Sequence, residues 1–167
     1  MKILTILGAR PQFIKAATVS RAIRAHNAAV QASGQGQPIE EIIVHTGQHF
    51  DANMSDVFFE QLDIPQPHYN LAIANLNHGA MTGRMLEAIE GRILDESPDW
   101  VLVYGDTNST LAGALAAAKL QVPMAHVEAG LRSHNPAMPE EINRILTDRV
   151  ATLLLCPTDT AVANLQR

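Results

Sequence analysis

Three carboxylates stand where a parallel sheet would present them to a ligand. Asp106 follows the apolar run 101–104, Glu128 ends the run 122–127, and Glu140 opens a predicted helix. Ligands of open parallel sheets bind outside the carboxyl ends of the strands, and neighbouring strands lie about 4.8 Å apart. If these two strands are neighbours, Asp106 and Glu128 could face one substrate atom. Paired acids in a partly dry cleft can divide into one base and one acid, as proton transfer requires.

Each acid also has an interpretation that needs no chemistry. Asp106 could instead cap the helix predicted over residues 107–120, and its type and position leave that alternative open. Glu128 precedes an Ala-Gly-Leu-Arg turn and has no obvious capping role, which favours a functional one. Glu140 and Glu141 lie in the first turn of their helix, where the helix dipole alone favours acidic residues.

The bend Gly8-Ala9-Arg10-Pro11, between the first predicted strand and helix, is a candidate anion site. A helix N-terminus presents N–H groups to an anion, and Arg10 and Lys15 add positive charge. The bend does not match G-x-G-x-x-G, so a dinucleotide site is not indicated, and a plain turn with two solvated cations is the alternative. Arg132 and Arg144 are either surface residues or partners of the acids, and the sequence does not decide.

Residues that could bind a metal or act as nucleophiles give weaker patterns. His45 and His49 are four residues apart, but they straddle a predicted strand end and a turn, which argues against a metal site. Cys156 lies in an apolar run, Leu-Leu-Leu-Cys-Pro, and is predicted to be part of the core. Met81 and Met85 lie on the apolar stripe of a predicted helix and are expected to fill the core in the same way.

The composition bounds the class of protein. The chain has 167 residues, of which 47% are apolar, so one domain with a real core is expected. Its net charge of −5 argues against a nucleic-acid partner. A single cysteine allows no intrachain disulfide and favours a reducing, cytoplasmic compartment. The N-terminal apolar run is too short for a signal segment or a membrane span, so we expect no membrane insertion.

Predicted strands and helices alternate along the chain, which indicates an α/β fold with a parallel sheet covered on both faces. The chain ends inside its last predicted helix, so we expect it to be the first part of a longer protein. We predict strands at residues 2–7, 41–46, 100–104, 122–127 and 152–156, and helices at residues 13–26, 54–62, 79–96, 107–120, 139–150 and from 159 onward.

Six short motifs together resemble the non-hydrolysing UDP-N-acetylglucosamine 2-epimerase family. The resemblance implies a Rossmann-like domain over residues 1–167, equivalent to the N-terminal half of a GT-B fold, with the C-terminal UDP-binding domain absent from this chain. Family members need no cofactor or metal, and a homodimer of the full-length protein is implied. The motifs are GARPQFIK (8–15), TGQH (46–49), GDTNST (105–110), HVEAGLRS (126–133), PEEINR (139–144) and CPT (156–158).

The resemblance also implies a reaction and roles in it. Members of the family invert C2 of a UDP-sugar by eliminating UDP across C1–C2 and adding it back, which would serve bacterial surface polysaccharide, including lipopolysaccharide. Asp106, Glu128 and Glu140 match the catalytic acids. Arg10 and Lys15 match nucleotide-sugar contacts. The resemblance further implies an activating second substrate near Gln48 and Arg84.

One departure concerns the sugar. Many members have Glu where this chain has Gln12, and the loss of a negative charge near the sugar would ease binding of an acidic sugar. Together with residues 48–62 and 79–90, this is similar to the branch that acts on UDP-2,3-diacetamido-glucuronic acid. UDP-N-acetylglucosamine itself stays open as the substrate. A GT-B glycosyltransferase and a non-catalytic nucleotide-sugar-binding module are the alternative functions, and we expect the isolated chain to be inactive.

Overall fold

A computed structural model describes residues 1–48, 63 and 66–166 of the chain. Helices and strands alternate through these residues, as the sequence predicts, except that the described strands at 40–45 and 69–70 come one after the other. The elements are β1 (Lys2–Leu7), α1 (Arg10–Ser33), β2 (Glu40–His45), β3 (Tyr69–Asn70), α2 (His78–Glu96), β4 (Trp100–Tyr104), α3 (Asn108–Lys119), β5 (Met124–Val127), α4 (Pro139–Val150), β6 (Leu153–Leu155) and α5 (Asp159–Leu165).

The strands form one parallel sheet in the order β3-β2-β1-β4-β5-β6. This is the Rossmann order, so the predicted fold class is confirmed. The order reverses between β1 and β4, and a crevice for ligands opens at the carboxyl ends of the strands at such a point. The prediction that β4 and β5 are neighbours is also confirmed, because Tyr104 pairs with Val127.

Apolar side chains fill both faces of the sheet. On one face, β1, β2, β4 and β5 pack against α2 and α3, and Met85 lies fully buried there, as its place on the apolar stripe predicts. On the other face, α1 packs Phe13, Ala16 and Ala17 against Leu7 and Tyr104. Since both faces are covered, the strands can be apolar throughout instead of alternating.

The first helix is longer than its predicted range of 13–26. Pro11 lies in its first turn, where a missing N–H costs nothing, and helix-favouring residues carry it to Ser33. It ends where Gly34 takes a left-handed conformation with φ of 66°. Within the part of the chain that the structure describes, none of the helices is both long and apolar enough to cross a bilayer.

One sequence prediction is contradicted, one strand was not predicted, and one predicted helix is not tested. The short strand β3 was not predicted, because two residues are too few to give a pattern. Cys156 is not in the core: it is partly exposed, since β6 lies at the sheet edge and leaves Leu153 and Leu155 more than 40% exposed. An apolar run does not distinguish an edge strand from a central one. The predicted helix 54–62 lies outside the described residues.

Gly8, directly after β1, lies against the first turn of α3. A Cβ atom at this position would come within 2.0 Å of Ser109 Oγ and 2.6 Å of Thr46 Oγ1. Those two hydroxyls are buried and hydrogen-bonded to each other at 2.8 Å, so neither can move away without losing a bond. Only glycine therefore allows the first turn to touch α3.

We predict that Gly8→Ala lowers the free energy of unfolding by about 1–3 kcal/mol, the usual cost of an overpacked interior. The measurement is urea unfolding of the chain followed by circular dichroism. Gly91→Ala on α2 is the matched control, because nothing lies within 4 Å of its added Cβ. That control should gain up to about 1 kcal/mol through helix propensity. Equal stability of the two variants would contradict the close approach.

Candidate active site

The side chain of Gln12 ties the turn after β1 to the turn after β4. Its Oε1 accepts hydrogen bonds from the N–H groups of Gly8 at 2.6 Å and Ala9 at 3.0 Å. Its Nε2 donates to the carbonyl oxygen of Tyr104 at 2.6 Å. The side chain also reaches the hydroxyls of Thr107 and Thr110. The two turns on either side of the switch point are therefore held together by one buried amide.

This arrangement bears on two interpretations of the sequence and corrects the first of them. The sequence predicted that N–H groups of this bend bind an anion. Those of Gly8 and Ala9 instead donate to the side chain of Gln12. Gln12 itself is only 2% exposed and its amide bonds to protein groups, and the effect of its missing negative charge on an acidic sugar stays a prediction. Its influence on a ligand acts through the position of the turn.

Asp106 lies just after β4 and forms an ion pair with α4. Arg144 Nη2 donates to Asp106 Oδ2 at 2.5 Å, and Asn143 Nδ2 donates to the Asp106 carbonyl oxygen at 2.8 Å. The alternative of Asp106 as a helix cap is wrong, because Thr107 is the N-cap of α3 and its hydroxyl accepts from the Thr110 N–H. The carboxylate of Asp106 is thus not used as a helix cap, and it lies at the edge of the sheet paired with Arg144.

Glu128 follows β5 in a strained conformation. Its φ of 77° lies in the left-handed region, which a residue with a side chain adopts at a cost of about 1–3 kcal/mol. Its Oε2 forms an ion pair with Lys15 of α1. The same oxygen lies 3.3 Å from where a Cβ of Gly105 would be, so Glu128 borders the turn that carries Asp106. Backbone strain of this kind concentrates at functional sites.

Glu140 and Glu141 have different environments although both begin α4. Glu141 is buried, and its carboxylate accepts from the N–H groups of Ser133 at 2.8 Å and His134 at 3.0 Å and from Arg144 Nη1 at 3.0 Å. Glu140 is partly exposed, and its carboxylate makes no hydrogen bond or ion pair within the described ranges. Glu141 therefore shapes the loop before α4, while Glu140 keeps its carboxylate available.

Burial would raise the pKa of Glu141, but the bonds from Ser133, Arg144 and His134 lower it to about 2. The folded carboxyl is thus much more acidic than the unfolded one, near 4.3. A carboxyl whose pKa is lowered by folding stabilises the fold when the pH is above its pKa in the unfolded state. This stabilisation is lost as the pH falls through its pKa in the folded state.

The residues proposed for an activating ligand lie in two different environments. Gln48 Oε1 accepts from the Ser109 hydroxyl at 2.8 Å and from its N–H at 3.2 Å, beside the switch point. Arg84 is exposed on α2 and lies 3.6 Å from Glu87, where it borders an open groove of about 450 Å³. Among the described residues, no hydrogen bond or ion pair joins Gln48 to Arg84, and their regulatory role stays a prediction.

The two histidines considered for a metal have separate outcomes. His45 is buried beside the ring of Phe13, with ring centroids 5.2 Å apart, and burial lowers its pKa. His49 lies outside the described residues. Nowhere in residues 1–48, 63 and 66–166 do three His, Cys, Asp or Glu side chains gather as a metal would need.

Sequence reasoning missed the buried pair His126 and Asp148. His126 Nδ1 lies 2.7 Å from Asp148 Oδ1, and Asp148 Oδ2 accepts from Arg132 Nη1 at 2.6 Å. Arg132 and Arg144, left undecided by the sequence, are therefore both partners of acids. The helical spacing of Glu141, Arg144 and Asp148 on α4 was the available signal, since it puts three charged residues on one face.

Lys15, Glu128 and Asp106 thus border one edge of a Rossmann-like sheet, at the end where such domains bind nucleotides. Arg10 begins α1 at the same edge. A family model for UDP-N-acetylglucosamine 2-epimerase matches residues 31–167. The chain belongs to this family.

Individual relatives agree with the family. The chain is 66% identical to the UDP-2,3-diacetamido-2,3-dideoxy-D-glucuronate 2-epimerase of Pseudomonas aeruginosa, over 99% of this chain and 44% of the relative. It is 49% identical to the UDP-N-acetylglucosamine 2-epimerase of Methanocaldococcus jannaschii, over 100% of this chain and 43% of that relative. The chain therefore spans less than half the length of these relatives.

Solved structures agree with the fold. The UDP-GlcNAc 2-epimerase of M. jannaschii, crystallised with UDP-GlcNAc and UDP, superposes with a TM-score of 0.90 at 48% identity, covering 100% of this chain and 43% of that one. The Neisseria meningitidis UDP-GlcNAc 2-epimerase bound to UDP-GlcNAc gives a TM-score of 0.86 at 34% identity, covering 99% and 42%.

Because Glu140 and Glu141 have different environments, replacing each of them with glutamine should change the free energy of unfolding by different amounts. Glu141→Gln should lower the free energy of unfolding at pH 7 by roughly 2–3 kcal/mol, because the shift in its pKa is lost with the charge. The deficit should shrink as the pH falls from about 5 toward 2. Glu140→Gln is the matched control and should change stability by less than about 0.5 kcal/mol. Urea unfolding between pH 7 and pH 3 measures both, and a deficit independent of pH would contradict the assignment.

Proposed function

We propose that this chain forms the N-terminal half of the active site of a UDP-sugar 2-epimerase, an isomerase that inverts C2 of a UDP-activated 2-acetamido sugar. The observation that carries the proposal is the meeting of Glu128, Lys15 and the Asp106 turn at one edge of the sheet. Asp106, Glu128 and Glu140 are the catalytic acids of this proposal. The second wall of the cleft would come from a C-terminal UDP-binding domain.

The proposed reaction needs a base on one face of the sugar and an acid on the other. The base takes the C2 proton, the C–H electron pair forms the C1=C2 double bond, and the C1–O bond breaks as UDP leaves with its electrons. UDP oxygen then attacks C1 of the glycal, and an acid returns a proton to the opposite face of C2. The position of Glu128 beside the turn that carries Asp106 supports this sequence, since one group cannot serve both faces.

The positive charges at the same edge suit an anionic substrate. Lys15 is about one-third exposed beside Glu128, so a diphosphate or sugar carboxylate could reach its ammonium group. Arg10 lies in the first turn of α1 and is exposed. An arginine there would bind a phosphate or carboxylate through charge-assisted hydrogen bonds, which are the stronger kind. We assign both residues to substrate binding.

The closeness to the P. aeruginosa enzyme favours UDP-2,3-diacetamido-2,3-dideoxy-D-glucuronate over UDP-N-acetylglucosamine as the substrate. A UDP-sugar that carries a carboxylate has two anionic groups, the diphosphate and the sugar carboxylate, and the cations of the cleft could bind both. We place the activity in the cytoplasm, where its product would serve the synthesis of surface polysaccharide such as lipopolysaccharide.

The test is incorporation of solvent deuterium at C2. We call the protein that joins this chain to the C-terminal segment of the P. aeruginosa relative the completed protein. In deuterated water without a sugar acceptor, it should label C2 of one of the two UDP-sugars. Glu128→Gln and Asp106→Asn should each slow labelling by about 10²–10⁴, the usual contribution of a general acid or base. NMR of the sugar measures the rate.

Asp159→Asn is the control for this experiment, because Asp159 is an exposed acid in the first turn of α5 and lies outside the proposed site. It should keep the full rate. The chain alone should bind UDP-sugar weakly and give no labelling, since only a second domain could exclude water from the cleft. Sugar transfer to an acceptor with no labelling would favour the glycosyltransferase alternative. Binding by the completed protein without either reaction would favour a binding module.

We further propose that two copies of the protein associate through α4. This helix turns its polar side inward, with Glu141, Asn143 and Asp148 buried, and leaves Ile142, Ile145 and Leu146 at least 40% exposed. A helix normally buries its apolar stripe, so this face favours a partner.

Ile145→Glu should therefore convert a dimer of the completed protein into a monomer, because it would put a charge into an apolar interface. Sedimentation velocity measures the change in mass. Ile14→Glu is the control, since Ile14 is an exposed isoleucine on α1 at the opposite face of the sheet. A wild-type monomer, or a dimer that survives Ile145→Glu, would contradict this interface.

A further inference from the structure

The buried ring of His126 connects three elements of the proposed site. It belongs to β5, its Nδ1 lies 2.7 Å from Asp148 Oδ1 on α4, and its Nε2 lies 2.7 Å from the carbonyl oxygen of Gly105 after β4. No part of His126 is exposed. The ring therefore cannot meet a ligand, and it can influence the site only through the groups that it binds.

Both nitrogens of the ring must donate hydrogen bonds. The carbonyl oxygen of Gly105 can only accept, so Nε2 carries a hydrogen. Burial would raise the pKa of Asp148, but its bonds to His126 and Arg132 lower it, so the carboxylate is ionised and accepts at Oδ1 as well. The ring thus lies between a carboxylate and a carbonyl oxygen, and each of its two nitrogens has one partner.

The network holds both turns that carry the proposed acids. Gly105, with φ of 64°, directly precedes Asp106, and its buried carbonyl oxygen would lose this partner without His126. Asp148 Oδ2 accepts from the N–H of Gly130 at 3.1 Å, in the turn that follows Glu128. Glu128 itself, with φ of 77°, lies in the left-handed region that a non-glycine residue adopts only at a cost, so its turn needs outside bonds to keep its shape.

We propose that His126 and Asp148 are positioning residues that fix Asp106 relative to Glu128 for the transfer of the C2 proton. This proposal rests on the proposed function of the chain. A displacement of about 1 Å between reacting groups can cost a hundredfold in rate, and removal of this network would free the turns on both sides. The effect should fall on kcat, because neither residue touches the substrate.

The experiment compares variants of the completed protein. His126→Phe keeps the ring volume and removes both hydrogen bonds, and should lower kcat for C2 labelling about a hundredfold with KM within about threefold. Asp148→Asn lets a neutral His126 keep its bond to Gly105, and should lower kcat by a smaller factor, about tenfold. Thr147→Val is the matched control on the same helix turn: its hydroxyl is buried without a partner, so kcat should stay within about twofold.

Circular dichroism melts, with rates scaled to the folded fraction, separate positioning from stability. Folded His126→Phe with wild-type kcat, or with a change in KM alone, would overturn the proposal.

Nitrogen NMR of the histidine-labelled chain should show two protonated ring nitrogens on His126 at pH 7 and one in Asp148→Asn. A single protonated nitrogen in the unsubstituted chain would overturn the double-donor assignment. If the unsubstituted completed protein labels no sugar, the proposed function itself fails, which is a different result from active protein with indifferent variants.

Discussion

The contact between the turn after β1 and the start of α3 constrains the rest of the molecule. Gly8 fits against Ser109 only because it has no Cβ, and Gln12 spans the remaining gap with bonds to Gly8 and to the carbonyl of Tyr104. These groups lie where the strand order reverses, so one buried amide joins the turns that follow the paired strands β1 and β4. Lys15 stands one helical turn beyond Gln12, and this amide therefore sets its reach to Glu128 as well.

Asp106, Glu128 and Asp148 each have a basic partner. Lys15 pairs with Glu128, Arg144 pairs with Asp106, and Arg132 pairs with Asp148. A buried carboxylate without such a partner would cost about 3–5 kcal/mol, the usual penalty for an uncompensated buried charge. The cations thus allow acids to be concentrated at one edge. A substrate that is itself an anion would compete for Lys15, so binding of the substrate and release of Glu128 would be linked.

Much of this could be predicted from the sequence, for identifiable reasons. The apolar runs that end on Asp106 and Glu128 predicted two neighbouring strands, because a buried parallel strand leaves no other place for a charged residue. The roles of Glu140 and Glu141 could not be separated, since both fit the first turn of a helix and only the path of the preceding loop decides which is buried. The capping hydroxyl of Thr107, three residues before Thr110, was a readable signal that would have excluded Asp106 as the cap.

The fourth helix is oriented differently from what periodicity alone would indicate. Its sequence has one apolar stripe and one polar stripe, and the usual rule would turn the apolar stripe inward. Here the polar stripe faces inward, because Glu141 holds the preceding loop and Asp148 holds His126. The helix is thus anchored by ion pairs and hydrogen bonds on the side where hydrophobic burial would normally anchor it. Its attachment to the sheet should consequently depend on pH through the same carboxylates that shape the site, and its apolar side is left for the second copy of the protein that we propose.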